Sequence, residues 1–99
     1  MAKDRPDPRE AAEEIAIAAL SYLAGQPEQL GRFLAITGIG PQQLRAAAAQ
    51  PGFLAGVLEH FGSEEALLRA FADEARIDPV EIVRARIILS GPAWEREAP

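Results

Sequence analysis

The chain has 99 residues, enough for one small domain, and its 15 acidic residues outnumber its 10 basic ones, for a formal net charge of −5. Hydrophobic residues make up 48% of it, but β-branched and aromatic residues are too scarce for a β-sandwich or barrel. The absence of cysteine excludes a disulfide scaffold, a thiolate metal site and a cysteine nucleophile. No stretch has the length of a membrane span, and the first residues lack the apolar segment of a signal peptide. We therefore expect a soluble cytoplasmic protein.

The first predicted helix spans residues 8–24. Asp7 is placed to cap its amino end, and Glu10 occupies the position of a capping-box acid. Gly25 is expected to end the helix in the left-handed conformation. Apolar residues nearly encircle the segment 15–23, which predicts a helix buried at the centre of the fold.

Glycine and proline divide the middle of the chain into further helical segments. The predicted helices span about residues 27–37, 41–49, 53–61 and 64–75. Ser63 is expected to be the N-cap of the fifth helix. Three aromatic rings on the apolar faces are expected to be central to the core: Phe33, Phe53 and Phe71.

The last segment, VEIVRARIIL, is the one place where strand propensity competes with helix propensity. Asp78 followed by proline, with Glu81 at the capping-box position, favours a sixth helix that runs to Ser90. The sequence thus predicts an all-α fold, a compact bundle of five to six short helices. We expect the helical domain to cover residues 7–91, between a disordered N-terminus at 1–6 and a tail at 92–99.

Side chains capable of catalysis are few. His60 is the only histidine, and its place near a helix end favours an interaction with the helix dipole or a backbone carbonyl. The acidic pairs 13–14, 64–65 and 73–74 are helical neighbours whose side chains point about 100° apart, so they do not converge on a metal ion. We therefore expect no catalytic residue, no cofactor and no metal site, and the chain is not predicted to be an enzyme.

The segment from Gly38 to Arg45 is similar to turns that bind nucleic acid. Gly38-Ile39-Gly40 fits a helix-hairpin-helix, in which backbone N–H groups bind a phosphate. A helix-turn-helix also fits in outline, and Gln42, Gln43 and Arg45 would then face the major groove.

Charge argues against both nucleic-acid motifs. Between Gln26 and Gly62 the chain carries two acids and two bases, whereas nucleic-acid affinity rests on cations that neutralise phosphates. A helix that ends at glycine, followed by a helix that starts at proline, explains the segment without a ligand.

The order of landmarks along the chain resembles a known family. These landmarks are Ala-Leu-Ser-Tyr-Leu-Ala at 19–24, Arg32-Phe33-Leu34, Thr37-Gly38-Ile39, Pro41, Leu44-Arg45, Pro51, Phe53-Leu54, Val57-Leu58, Glu65, Leu67-Leu68, Phe71-Ala72, Pro79 and Ala85-Arg86. Over roughly residues 10–91 the chain resembles domain of unknown function number 3572, a family of small bacterial, largely alphaproteobacterial, proteins. The resemblance implies a bacterial, cytoplasmic, all-helical protein and brings no activity, substrate or catalytic residue.

These observations favour a small helical module that binds another protein. Arg32 and Arg45 are the candidate interaction residues, unless they cap carbonyls or pair with Glu28 and Glu59. Trp94 is either a tether that folds back on the bundle or an exposed anchor for a partner. Nucleic-acid binding through Gly38, Gly40, Gln42, Gln43 and Arg45 is the alternative. The chain is expected to be a monomer or a homodimer, the latter through its apolar first helix.

Overall fold

The computed structural model describes residues 7–90, and within them the chain forms six α-helices and no strand. The helices are α1 (Pro8–Ala24), α2 (Pro27–Thr37), α3 (Leu44–Ala48), α4 (Pro51–Gly62), α5 (Glu65–Ala75) and α6 (Pro79–Ser90). The predicted all-α fold is confirmed. The expectations for residues 1–6, for the tail at 92–99 and for Trp94 lie outside the described residues.

Helix α1 lies at the centre of the bundle, where it packs against α6, α4, α2 and α5. Its innermost face is made of small residues and one leucine: Ala12, Ala16, Ala19 and Leu23. Alanines at this spacing share one side of the helix, and their short side chains let the neighbouring helices approach closely. The apolar residues around α1 are not all buried as predicted, because Ile17 on the far side of the helix is 51% exposed.

The aromatic core is centred on Phe61 of α4, which has no exposed surface. Its ring centroid lies 5.3 Å from that of Phe71 and 6.5 Å from that of Tyr22. A second pair, Phe33 and Phe53, has its ring centroids 5.7 Å apart. Phe33 and Phe71 are buried as predicted, whereas Phe53 is half-buried and packs against the edge of the core.

Two features predicted for the ends of α1 are wrong. The Asp7 side chain makes no capping hydrogen bond, and no bond to Glu10 replaces it; the Asp7 carbonyl accepts the N–H of Ala11 instead, at 2.9 Å. Gly25 has a φ of −86°, which is not left-handed. The chain therefore leaves α1 through a tight turn that any residue can adopt.

The start of α5 also differs from the prediction. Ser63 ends α4 rather than capping α5, and its hydroxyl donates to the carbonyl of His60 at 2.9 Å. Glu64 occupies the N-cap position, one residue later than predicted. At α6 the predicted role of Asp78 agrees with the structure, because the N–H of Val80 donates to the Asp78 carboxylate at 2.9 Å. The capping-box role predicted for Glu81 does not, because its carboxylate accepts from Arg84 at 3.3 Å instead.

The third helical segment is shorter and tighter than predicted. It begins as a 3-10 turn at Pro41–Gln43 and becomes α-helical only at Leu44. Gly38, with a φ of +76°, ends α2 in the left-handed region that favours glycine. This short segment follows α2 and carries Arg45 on α3.

Candidate functional site

The structure gives the two candidate arginines different roles. Arg32 donates to Glu64 at 3.0 Å, so it links α2 to the start of α5 rather than pairing with Glu28. Arg45 on α3 is exposed and forms no ion pair or hydrogen bond within residues 7–90. Glu59, its expected partner, lies instead 4.0 Å from Arg86. Of the two arginines, Arg45 is the one whose charge is uncompensated by another described residue.

The turn between α2 and α3 uses its N–H groups internally. Gly38 donates to the carbonyl of Leu34 at 2.8 Å, and Ile39 donates to the hydroxyl of Thr37 at 3.4 Å. The N–H of Gly40 donates to the side-chain oxygen of Gln43 at 3.1 Å. A helix-hairpin-helix needs such groups free to bind a phosphate, and here they already have acceptors.

The residues expected to read bases are also divided by this turn. Gln43 is held in the turn by its bond to Gly40, while Gln42 and Arg45 are exposed. Nucleic-acid contact through residues 38–45 stays a prediction, and the internal bonds argue against it.

Arg45 lies on the rim of a groove between α1 and α3 with a volume of about 540 Å³. We call it the α1–α3 groove. Its lining is mostly apolar and comes from Ile17, Leu20, Ala24, Pro41, Leu44 and Ala48. Two polar side chains complete it, those of Ser21 and Arg45. The exposed fraction of Ile17 lies in this groove, which accounts for the apolar surface that α1 leaves uncovered.

The groove is electropositive in an otherwise acidic chain. Residues 29–58 contain no aspartate or glutamate, and their two cations are Arg32 and Arg45. Glu64 neutralises Arg32, and no carboxylate lines the groove. The α1–α3 groove therefore combines an apolar floor with one uncompensated guanidinium, a surface suited to a partner that is both apolar and acidic.

A second cleft lies beside His60, between α2 and α4, with a volume of about 330 Å³. The imidazole is 8% exposed and packs edge-to-face against Phe33, with 5.3 Å between the ring centroids. Its Nε2 is buried and has no hydrogen-bond partner among the described residues. No described hydrogen bond joins the imidazole to a backbone carbonyl, although His60 lies in the last turn of α4, near the helix end as predicted.

The surroundings of His60 favour the neutral imidazole. Burial lowers its pKa, the nearby Arg32 cation lowers it further, and Glu64 opposes the shift. The hydroxyl of Ser63 donates to the backbone carbonyl of His60, so it is not hydrogen-bonded to the ring. The contacts of this histidine are those of a buried core residue, without the nucleophile–base hydrogen bond of a catalytic pair.

Residues 7–90 contain no group of three or more histidine, aspartate or glutamate side chains placed to hold a metal ion. Within the same part of the chain, no helix is both long and apolar enough to cross a membrane.

A family model described as "Protein of unknown function (DUF3572)" matches residues 9–92. The chain belongs to the DUF3572 family. The match includes nearly all of the six helices, so the family and the described bundle coincide along the chain. No curated protein and no solved structure matches the chain.

Sequence reasoning identified Arg45 but not the groove around it. The other side of the groove comes from α1, more than twenty residues before Arg45. The apolar pattern of α1 does not show which of its faces is left without a packed helix. One sequence feature did indicate the groove: a large isoleucine on the side of α1 away from its alanines. Ile17 lies opposite the buried alanine face, where a fully packed helix would be covered.

Proposed function

We propose that the chain is a non-catalytic protein–protein interaction module that binds an acidic amphipathic helix of a partner protein in the α1–α3 groove. The observation that carries the proposal is the position of Arg45. An exposed arginine without an ion pair stands on the rim of an apolar groove that contains no carboxylate.

The apolar floor favours a helical ligand. A groove between two helices accepts side chains spaced at i, i+3 or i+4 and i+7, as an amphipathic helix presents them. The described residues contain no strand, so they offer no sheet edge to which an extended peptide would add. Covering Ile17, which is half exposed, removes apolar surface from water and supplies the non-directional part of the affinity.

The guanidinium of Arg45 makes the groove specific for an acidic partner. An arginine binds a carboxylate through two parallel hydrogen bonds, and such charge-assisted bonds are stronger than neutral ones. Because Arg45 has no ion pair among the described residues, it breaks none when a carboxylate binds. Ser21, on the α1 side of the groove, offers a hydroxyl to a second polar group of the partner.

An acidic protein partner fits these features better than nucleic acid does. Duplex binding depends on several phosphate contacts, and this surface offers one uncompensated cation in an acid-free but mainly apolar setting. The apolar lining has no counterpart on a phosphate backbone. Steep salt dependence of duplex binding, lost on charge reversal at Arg45, would favour the alternative.

The experiment uses two designed helical peptides with the same apolar face. One carries glutamate beside that face and the other carries lysine at the same positions, and both are labelled for fluorescence anisotropy. They are titrated with the wild-type protein, with Arg45→Glu and with Arg69→Glu. Arg69 is the control for net charge because it is exposed on α5 and its reversal changes the charge equally, although, unlike Arg45, it has a carboxylate partner, Glu65 at 3.7 Å in the same helix.

We expect the glutamate peptide to bind the wild type and the Arg69→Glu protein alike. Reversal at Arg45 should weaken that binding about tenfold or more, since a charged hydrogen bond is replaced by repulsion. Three results would each overturn the proposal: the two peptides bind the wild type equally, neither peptide binds, or Arg45→Glu binds the glutamate peptide with unchanged affinity.

A further inference from the structure

A cleft with a volume of about 280 Å³ lies between the first half of α1 and α6. Two charged side chains of α6 contribute to its lining, those of Glu81 and Arg84. The rest of the lining is apolar and comes from Pro8, Ala11, Ala12 and Ile15 of α1 and from Ala85 and Ile88 of α6. We call this site the α1–α6 cleft. Both isoleucines are only half-buried, so the cleft leaves apolar surface of the two helices in contact with water.

We propose that Trp94 of the same chain packs into the α1–α6 cleft, so that the segment after α6 ties the end of that helix to α1. Trp94 is the only tryptophan of the chain and lies outside the described residues. The inference is independent of the α1–α3 groove, because the two sites share no lining residue.

The chain after α6 is long enough to bring Trp94 back to the cleft. Ile88 and Glu81, at the two ends of the α6 wall, lie two and nine residues before Ser90, where α6 ends. At 1.5 Å per residue, this wall extends from about 3 Å to about 14 Å before the helix end. Trp94 follows Ser90 by four residues, which an extended chain spans in about 13–14 Å. The dipeptide Gly91-Pro92, directly after α6, is typical of a turn.

The two charged residues of the cleft match the polar properties of an indole ring. Glu81 accepts from Arg84 through its Oε2 atom at 3.3 Å, and its Oε1 atom has no described partner. An indole carries one N–H group, which donates and cannot accept, and a packed tryptophan usually finds an acceptor for it. The guanidinium of Arg84 is also suited to lie over the face of an aromatic ring. The apolar walls then cover the rest of the ring system.

Trp94 fits the cleft better than other occupants do. Outside residues 7–90, the one other large apolar side chain of the sequence is that of Met1, which has no hydrogen-bond donor to offer to Glu81. A second copy or another protein has to reach the cleft by diffusion, whereas a segment tethered a few residues away is present at an effective concentration of about millimolar. Occupancy by the same chain is therefore independent of protein concentration, which distinguishes it from a dimer contact.

Selectively excited tryptophan fluorescence tests the inference, because it reports on Trp94 alone. In the wild type we expect emission at a shorter wavelength, and acrylamide quenching several-fold weaker, than in a free peptide of residues 91–99. Both properties should be the same at low and high protein concentration. Ile88→Asp places a charge in the cleft and should raise quenching to the value of the peptide. Ile87→Asp is the matched control, since Ile87 is the adjacent residue, is 57% exposed and does not line the cleft.

A second pair of variants keeps the test valid if circular dichroism shows that Ile88→Asp is unfolded. Glu81 is exposed, so Glu81→Ala leaves the core intact and should raise quenching, whereas Glu81→Gln retains an oxygen acceptor and should keep Trp94 protected. Nuclear Overhauser contacts from the indole to the methyl groups of Ile15 and Ile88 should locate the ring. The inference would be overturned if the wild type were quenched like the peptide, if Glu81→Ala left the protection unchanged, if Ile87→Asp removed it equally, or if the protection rose with protein concentration.

Discussion

Replacing Phe61 by alanine removes the ring at the centre of the aromatic core. The side chain has no exposed surface, and its ring lies within 6.5 Å, centroid to centroid, of the rings of Tyr22, His60 and Phe71. Truncation of a buried phenylalanine costs about 3–5 kcal/mol, and lost aromatic pairs add to that cost. We expect a loss near the upper end of the range, because the neighbouring rings cannot all move to fill the cavity.

Phe53→Ala is the matched control, since Phe53 is half-buried and makes one described ring contact, to Phe33. Its expected loss is about 1–2 kcal/mol, below that of a fully buried ring. Urea denaturation followed by circular dichroism measures both variants, with trimethylamine oxide added to all samples if Phe61→Ala is partly unfolded in water. Equal losses at the two positions would refute the assignment of Phe61 as the centre of the core.

Three further predictions concern a buried histidine and two helix ends. The pKa of His60 is lowered from 6.5, chiefly by burial, so the unfolded chain binds the proton more readily than the folded one. The contribution of His60 to the melting temperature should be complete above pH 6.5 and should decrease as the pH falls from 6.5 toward the pKa of the folded protein. His60→Phe should lose this pH dependence in thermal melts. If the melting temperatures of the wild type and of His60→Phe fell equally with pH, burial of the imidazole would not be the cause. Asp78→Ala removes the bond to the N–H of Val80 and should cost about 1 kcal/mol in urea denaturation, whereas Asp78→Asn should retain most of it. Gly38→Ala should cost about 1–2 kcal/mol in the same assay, because φ is +76° there, although an added Cβ meets no atom within 4 Å.

The helix positions were predictable because proline and glycine mark them in the sequence. Pro8, Pro27 and Pro79 each begin a helix, and Gly38 follows the last residue of α2. These residues act through local backbone geometry, which needs no knowledge of the rest of the fold. The choice of helix over strand for α6 succeeded for the same reason, since Asp78 caps the segment through a local hydrogen bond.

The exact caps were less predictable. A serine or an aspartate caps a helix only if its own backbone takes the required conformation, and that depends on how the preceding helix ends. Helix α4 continues through Gly62, so Ser63 has helical backbone angles and its hydroxyl bonds backward to His60. From the sequence alone, Ser63 could end α4 or cap α5, and the packing of the two helices decides which.

The candidate site depended on contacts that are distant in sequence. Arg32 pairs with Glu64, 32 positions away, and the groove that contains Arg45 has its other side on α1. Residue type indicated that both arginines were suited to an interface, but only the tertiary structure distinguishes the paired one from the unpaired one.

Site-specific photo-cross-linking from the groove is the most direct test of the proposed function. A benzophenone amino acid replaces Ser21, which is exposed within the groove, and a second protein carries it at Glu74, an exposed position on α5. Both are incubated with lysate of the source organism, with and without nuclease, and irradiated, and the cross-linked peptides and nucleotides are identified by mass spectrometry. The account predicts a discrete amphipathic segment with acidic residues, captured from position 21 alone and lost when Arg45→Glu is added. The account would be contradicted if position 21 cross-linked to nucleic acid or to a basic segment, if both positions gave the same products, or if position 21 gave no specific product.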